Sequence, residues 1–361
     1  MRDYFLNILV VLILILGEFG YLFSFLIYGK YLSLLIFFVL IFQSRFKIRK
    51  GVIGINSLIF PFVIIVFLNF VQFFNFSIYP VIESIIILSA VLPFISTTNF
   101  NFYPRFVFLC LLVSFFIKTG FDFNLSLSVD SFLKSETSSN ETNLFSFIFG
   151  FFAIYFFYVK NKTYFVLSVI VVILTFKRIV FISLFITILF SILRLDKLKN
   201  MSLLVILSNL FWVLISYVIT TDWFFDFSVE FFNLSPGFLT KGRSTVYGLL
   251  FDNYEGLNII PILFGFGAAE ARISLLSYDI GISLIHNDVL KLFYEYGVFV
   301  FISFFVFLYR NNSKAILFSV YLNCLFFTDN VFIYAPVIFL FFLLSMEYTR
   351  VLNMKKCLYL V

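Results

Sequence analysis

Residues 166–190 read VLSVIVVILTFKRIVFISLFITILF, an apolar run interrupted only by the basic pair Lys177 and Arg178 near its middle. A membrane-crossing helix takes about 20 apolar residues. With its flanks the run is too long for one crossing, so the chain must turn at the basic pair. Two spans are expected, 163–176 and 179–193, joined by a tight charged hairpin tip.

Composition extends that reading to the whole chain, which is 62% hydrophobic and only 12% charged, where soluble domains carry about 25% charged residues. Apolar runs divided at polar breaks give further expected spans at 5–27, 31–43, 52–73, 78–97, 105–117, 144–159, 201–221, 289–309, 315–328 and 331–348. Gly29 and Lys30 interrupt the first two. The expected fold is an all-α polytopic membrane bundle of roughly twelve helices, forming one membrane domain over 1–361. The N-terminal run has no small-residue cleavage motif and is expected to stay as a signal anchor.

Lys and Arg near span ends are retained in the cytoplasm. Placing Arg45, Lys47, Arg49 and Lys50 inside and alternating the spans puts 16 of the 25 basic residues inside, with both termini. Two long outward loops emerge. The first, 118–143, is Ser/Asn-rich and reads as a flexible cap. The second, 222–288, is far longer than a connection requires, and long loops in compact domains are usually functional. Its apolar stretches interleaved with charges fit short helices lying at the interface.

The 60 phenylalanines read as lipid-facing or gap-filling side chains rather than a binding site. Cys110, Cys324 and Cys357 lack a CxxC spacing and His286 is the only histidine, so no metal site is expected.

Basic residues on the outward side need a reason. Lys177 and Arg178 read as a fixed anion site; the alternative is snorkelling to lipid phosphates. Arg243 in KGRSTVYG, which also holds Lys241, and Arg272 in GFGAAEARIS lie in the second loop. The planar fork of arginine suits a pyrophosphate, although exposed arginines are often solvated bystanders. Gly265 and Gly267 are too few for a phosphate loop and suggest a tight turn. His286 precedes a predicted helix that Asn287 or Asp288 could cap, near its positive end, where an imidazole could accept a proton. The bland reading is a histidine hydrogen-bonded at a loop junction.

Together, Lys177-Arg178, Gly242-Arg243, Gly265-Phe266-Gly267, His286-Asn287-Asp288-Val289-Leu290 and Glu295-Tyr296-Gly297 resemble, in order and spacing over 163–309, the O-antigen polymerase and ligase superfamily of bacterial surface-polysaccharide assembly. Length and span layout look more like the polymerase branch, the Wzy proteins. The resemblance implies a metal-independent, cofactor-free glycosyltransferase of GT-C-like build in the cell inner membrane. Its partners would be membrane lipids, undecaprenyl-pyrophosphate-linked donor and acceptor glycans and a chain-length regulator, with no nucleic acid. The growing chain would be the donor, lengthened at its reducing end.

Cations placed at the leaving pyrophosphate lower the barrier; Arg178 and Arg243 are the candidates, supported by Lys177, Arg272 and Lys241. The acceptor hydroxyl needs a base, with His286 the candidate and Glu270 its substitute. Competing readings are an O-antigen ligase, a lipid-linked oligosaccharide flippase, and a scaffold or channel of an export complex. Flippases usually carry their charge within the spans, whereas here it gathers in one outward loop.

Overall fold

Helix is the only regular structure in the computed structural model among the described residues, which are 2–16, 18–19, 25–46, 57–71, 78–94, 101–120, 144–175, 177–198, 200–240, 242–254, 259–278 and 285–358. Most of the first long loop (121–143), Lys241 and the basic residues Lys47, Arg49 and Lys50 lie outside them.

The α-helices run, in order, α1 Arg2–Ile15, α2 Phe25–Phe46, α3 Phe60–Val71, α4 Tyr79–Val91, α5 Pro104–Thr119, α6 Phe145–Tyr158, α7 Lys162–Leu174, α8 Arg178–Ile192 and α9 Met201–Val218. The second loop supplies α10 Asp222–Phe232, α11 Pro236–Thr240, α12 Arg243–Asp252, α13 Ile260–Phe264 and α14 Glu270–Ser277. The chain ends with α15 Asp288–Asn311, α16 Ile316–Phe326 and α17 Ala335–Leu358. The chain is therefore all-α, and the second loop does form short helices.

Each expected span overlaps a helix. Among the described residues, Met201–Val218, Asp288–Asn311 and Ala335–Met354 are the helices long and apolar enough by themselves to cross a membrane. The shorter apolar helices include Phe145–Tyr158, 14 residues long; at 1.5 Å per residue such a helix covers about 21 Å of a hydrocarbon layer about 30 Å thick. The first two boundaries differ from expectation: α1 stops at Ile15, and α2 carries Gly29 and Lys30 within it. A glycine costs a helix about 1 kcal/mol, but packing overrides that here. A β-carbon on Gly29 would press to 3.1 Å from Leu16, so the small residue lets the two segments lie close.

The core is built from α6, α16 and α17. Residues 145–156 and 316–326 are buried all round, including Phe147, Phe149, Phe151 and Phe152. Helices apolar on every face belong at the centre of a bundle. The phenylalanines divide between that core and the periphery, where Phe67, Phe185 and Phe231 are exposed. Buried amides tie the helices across the apolar interior: Asn209 and Asn323 exchange hydrogen bonds of 3.2 and 3.1 Å, and the Tyr296 hydroxyl donates to Asn69 at 2.5 Å.

Candidate functional site

The second loop delivers its residues through a break in α15. Gly297 has φ 70°, outside helical geometry, so the carbonyls just before it lose their usual partners. The Phe266 and Gly267 N–H groups donate to the carbonyls of Tyr294 and Glu295, both at 2.9 Å. A β-carbon on Gly265 would collide with the Glu295–Tyr296 backbone, and one on Gly297 with the Leu263 carbonyl. Both glycines are needed for this backbone-to-backbone approach, and the Phe266 ring stacks on Tyr294 at 4.6 Å. The GFG and EYG segments are thus two halves of one joint.

At the start of the same helix, three consecutive residues do three jobs. Asn287 caps α15, its side chain accepting from the Leu290 N–H at 2.9 Å and donating to Ser216 on α9. Asp288 is buried and accepts from the Phe332 N–H at 2.9 Å. His286, held at φ 51° where few non-glycine residues sit, presents its Nδ1 to Asn330 at 3.4 Å and to Asp329 at 3.9 Å.

The segment 327–332, between α16 and α17, is therefore the hub. Lys177, at the N-cap of α8, pairs with Asp329 at 2.9 Å and lies 4.1 Å over the Phe147 ring. Arg243, the first residue of α12, donates to the Thr328 carbonyl at 3.2 Å, and the Trp212 indole donates to the Phe327 carbonyl at 2.9 Å. Burial alone would raise the Asp329 carboxyl, but His286, Lys177 and the Asn330 N–H outweigh it and hold it at about 2. A fixed carboxylate thus stands beside a histidine whose side chain is 52% exposed.

Sequence reasoning named Lys177, Arg243 and His286, and the structure brings all three to this turn. Lys177, 15% exposed, is occupied by a carboxylate of its own protein. Arg178 follows it, half-buried, as the first residue of α8. Arg243 has five donors, so a contact with one carbonyl leaves capacity for an incoming anion. Arg272 approaches the bundle from α14, its guanidinium 4.2 Å over the Tyr79 ring at the start of α4; α4 in turn packs on the 331–333 turn. Glu270 opens α14, half-buried.

Asp329 and Asn330 were missed. Their signal is TDN at 328–330, a polar break at the outward boundary of two expected spans; anion chemistry drew attention to basic residues and away from a lone acid. A second missed cluster lies deeper: Lys291 on α15 pairs with Glu83 on α4 at 2.6 Å and stands 3.8 Å from Glu295. Among the described residues, no group of three His, Cys, Asp or Glu side chains is placed to hold a metal ion.

Compared with protein-family models, with curated proteins and with solved structures, the chain has no match. Fold and hydropathy define its class: an all-α membrane protein. Within that class it is distinguished by a charged hub, where a hairpin tip, a loop helix and a helix start converge on one interhelical turn.

Proposed function

We propose that this chain is a glycosyltransferase of the O-antigen polymerase type, joining polyprenyl-diphosphate-linked glycans at the outward face of a bacterial inner membrane. The observation that carries the reading is the convergence of Lys177, Arg243 and His286, separate in sequence, on the turn 328–330. His286 and Arg243 are of the kinds that the chemistry uses, and Lys177 fixes Asp329 beside them.

In the proposed step, a hydroxyl oxygen of the acceptor sugar bonds to the anomeric carbon of the donor. The bond from that carbon to the diphosphate oxygen breaks, and its electron pair leaves with the diphosphate. His286 takes the hydroxyl proton, and the Asp329 carboxylate stabilises the imidazolium so formed, as a buried acid does in an acid–histidine pair. Arg178 and Arg243 serve the oxygens on which charge grows.

The twelve-span arrangement with both termini inside belongs to this proposal, and contacts at the two ends of the bundle support it. Asn101 donates to Asp3 at 2.9 Å and accepts from Arg350 at 3.3 Å, joining positions that alternation puts inside. Glu18 takes Lys118 and the Leu144 N–H, positions that alternation puts outside. A chain-length regulator would dock on such an enzyme from the outward side.

The test is the lipopolysaccharide of a deletion strain. Flipping and ligation would continue without a polymerase, so core bearing a single repeat is expected. Bare core with polymer on the carrier lipid would mean a ligase instead, and repeats trapped on the inner leaflet a flippase.

A further inference from the structure

A cavity of about 410 Å³ lies where α6 ends and where α5 and α7 begin, with α17 also in its wall. The 13 residues of α7 separate it from the Lys177 hairpin tip, about 20 Å at 1.5 Å per residue. It therefore stands apart from the hub, at the end of the bundle where Asn101 meets Asp3 and Arg350. Its polar lining comes from Arg105, Tyr155 and Asn161, and its apolar lining from Phe102, Phe156 and Val159.

The fold leaves all three polar side chains with capacity to spare. The Arg105 guanidinium lies 5.7 Å from the centre of the Tyr164 ring, and among the described residues it makes no hydrogen bond or ion pair. A contact through the face of the group leaves its N–H edge open. Tyr155 is 6% exposed, and among the described residues its hydroxyl has no hydrogen-bond partner, which a buried phenol usually finds. Asn161 accepts from the Tyr164 N–H through its carboxamide oxygen at 3.5 Å, so its amide N–H groups remain to donate.

The charges that act on Tyr155 are those of Glu347, Arg350 and Arg105. The first two pair with each other at 3.0 Å, which leaves the charge of Arg105 for the cavity. Lys160 and Lys162, exposed on either side of Asn161, add the same sign. α5 also starts without a side-chain cap, and bare N–H groups at a helix start favour an anion.

These donors are complementary to a phosphate, and the surface beside them selects a lipid as its source. Leu109, Val113 and Ile117 follow Arg105 at four-residue intervals along α5, and all three are exposed, so they share one side of the helix. From Arg105 to Ile117 the stripe covers about 18 Å, roughly half of a hydrocarbon layer about 30 Å thick. An acyl chain covers such a stripe, whereas a free phosphate makes no use of it. The surrounding cations repel the ammonium of a zwitterionic lipid, and basic pockets between helices hold anionic headgroups. We propose that this cavity is a binding site for an anionic phospholipid of the phosphatidylglycerol kind, its phosphate bonded to Arg105, Tyr155 and Asn161 and an acyl chain along α5.

The full chain in detergent is given phosphatidylglycerol and phosphatidylethanolamine at equal mole fraction, and retained lipid is identified by native mass spectrometry. The first lipid retained is expected to be phosphatidylglycerol about tenfold more often, which corresponds to a tenfold affinity ratio. Arg105→Ala should bring that ratio close to one. Tyr155→Phe, which removes only the hydroxyl, should lower it about threefold. Both variants should keep the wild-type thermal midpoint in phosphatidylethanolamine alone, because neither side chain donates a hydrogen bond within the described protein. If Arg105→Ala lowers the midpoint, Arg105→Gln and Tyr155→Phe carry the test.

Equal retention of the two lipids by the wild type means an unselective lipid shell and overturns the assignment. A preference that survives unchanged in folded Arg105 and Tyr155 variants overturns it as well, because the lipid then sits elsewhere. Displacement of the retained lipid by glycerol 1-phosphate at equal concentration would give the cavity to a soluble phosphate instead.

Discussion

Lys177 and Lys291 each meet a carboxylate, at 2.9 Å on Asp329 and 2.6 Å on Glu83, in very different surroundings. The first pair sits at a turn between helices, beside a histidine whose side chain is half-exposed, with Arg243 and Arg178 nearby. The second lies one turn inside α4 and α15. There Lys291 is 12% exposed and faces a Glu295 that has no exposure, and neither Glu295 carboxyl oxygen finds a hydrogen bond. The two lysines are almost equally buried, 15% and 12% exposed, so what opens the outer cluster to a ligand is the half-exposed His286 beside it. A charge in a dry interior must be answered by the protein itself, because the desolvation cost returns in full when a partner is removed. The outer cluster is therefore suited to chemistry and the inner one to holding helices in register, although both are lysine–carboxylate pairs.

The largest expected effect tests the inner pair. Lys291→Ala leaves Glu83 buried without its cation and should cost about 3–5 kcal/mol, seen as low membrane abundance and a lower thermal midpoint in detergent. Glu83→Gln combined with Lys291→Met, which removes both charges, should recover most of that loss. A wild-type midpoint for Lys291→Ala would erase the distinction between the two clusters.

His286 and Arg243 in the outer cluster should answer in rate rather than stability. His286→Ala is expected to slow polymer formation by about 10²–10⁴ and Arg243→Ala by about 10²–10³, each with a thermal midpoint near wild type. Single-turnover assays on purified protein separate these outcomes. A midpoint that falls together with the rate would return His286 to a structural role at a loop junction.

The smallest effect concerns acid. Asp329 is held at about 2 against an ordinary value of about 3.9. A lowered carboxyl contributes stability that is present in full above its ordinary value and disappears as pH falls through its folded one. About 2.6 kcal/mol should therefore be lost progressively between roughly pH 5 and pH 1. Asp329→Asn should be less stable at neutral pH and should lack this part of the acid dependence in thermal midpoints measured from pH 5 downward. A wild-type curve unchanged by the substitution would detach Asp329 from Lys177 and His286.

Hydropathy by itself determined the class and the helix positions, because a run such as 144–159 can satisfy its backbone away from water only by coiling. It also marked the chain reversal at Lys177-Arg178, where α7 ends and α8 begins, while the choice of Asn287 over Asp288 as the cap was left to the structure. The first boundary failed because Gly29 looks like a breaker in one dimension and is a close-packing residue in three.

Local patterns likewise singled out His286 and Arg243, since a cation or a lone histidine in an apolar chain is conspicuous wherever it falls. Which charges meet was decided only by tertiary structure. Asp329 is an unremarkable acid until α8, α12 and the start of α15 close around it. Glu83 and Lys291, 208 positions apart, carry no local sign of each other. The GFG and EYG segments could be read as separate turns until their backbones were seen to complete one another at the break in α15. Propensity and hydropathy are properties of neighbours along the chain, whereas ion pairs and shared hydrogen bonds belong to neighbours in space.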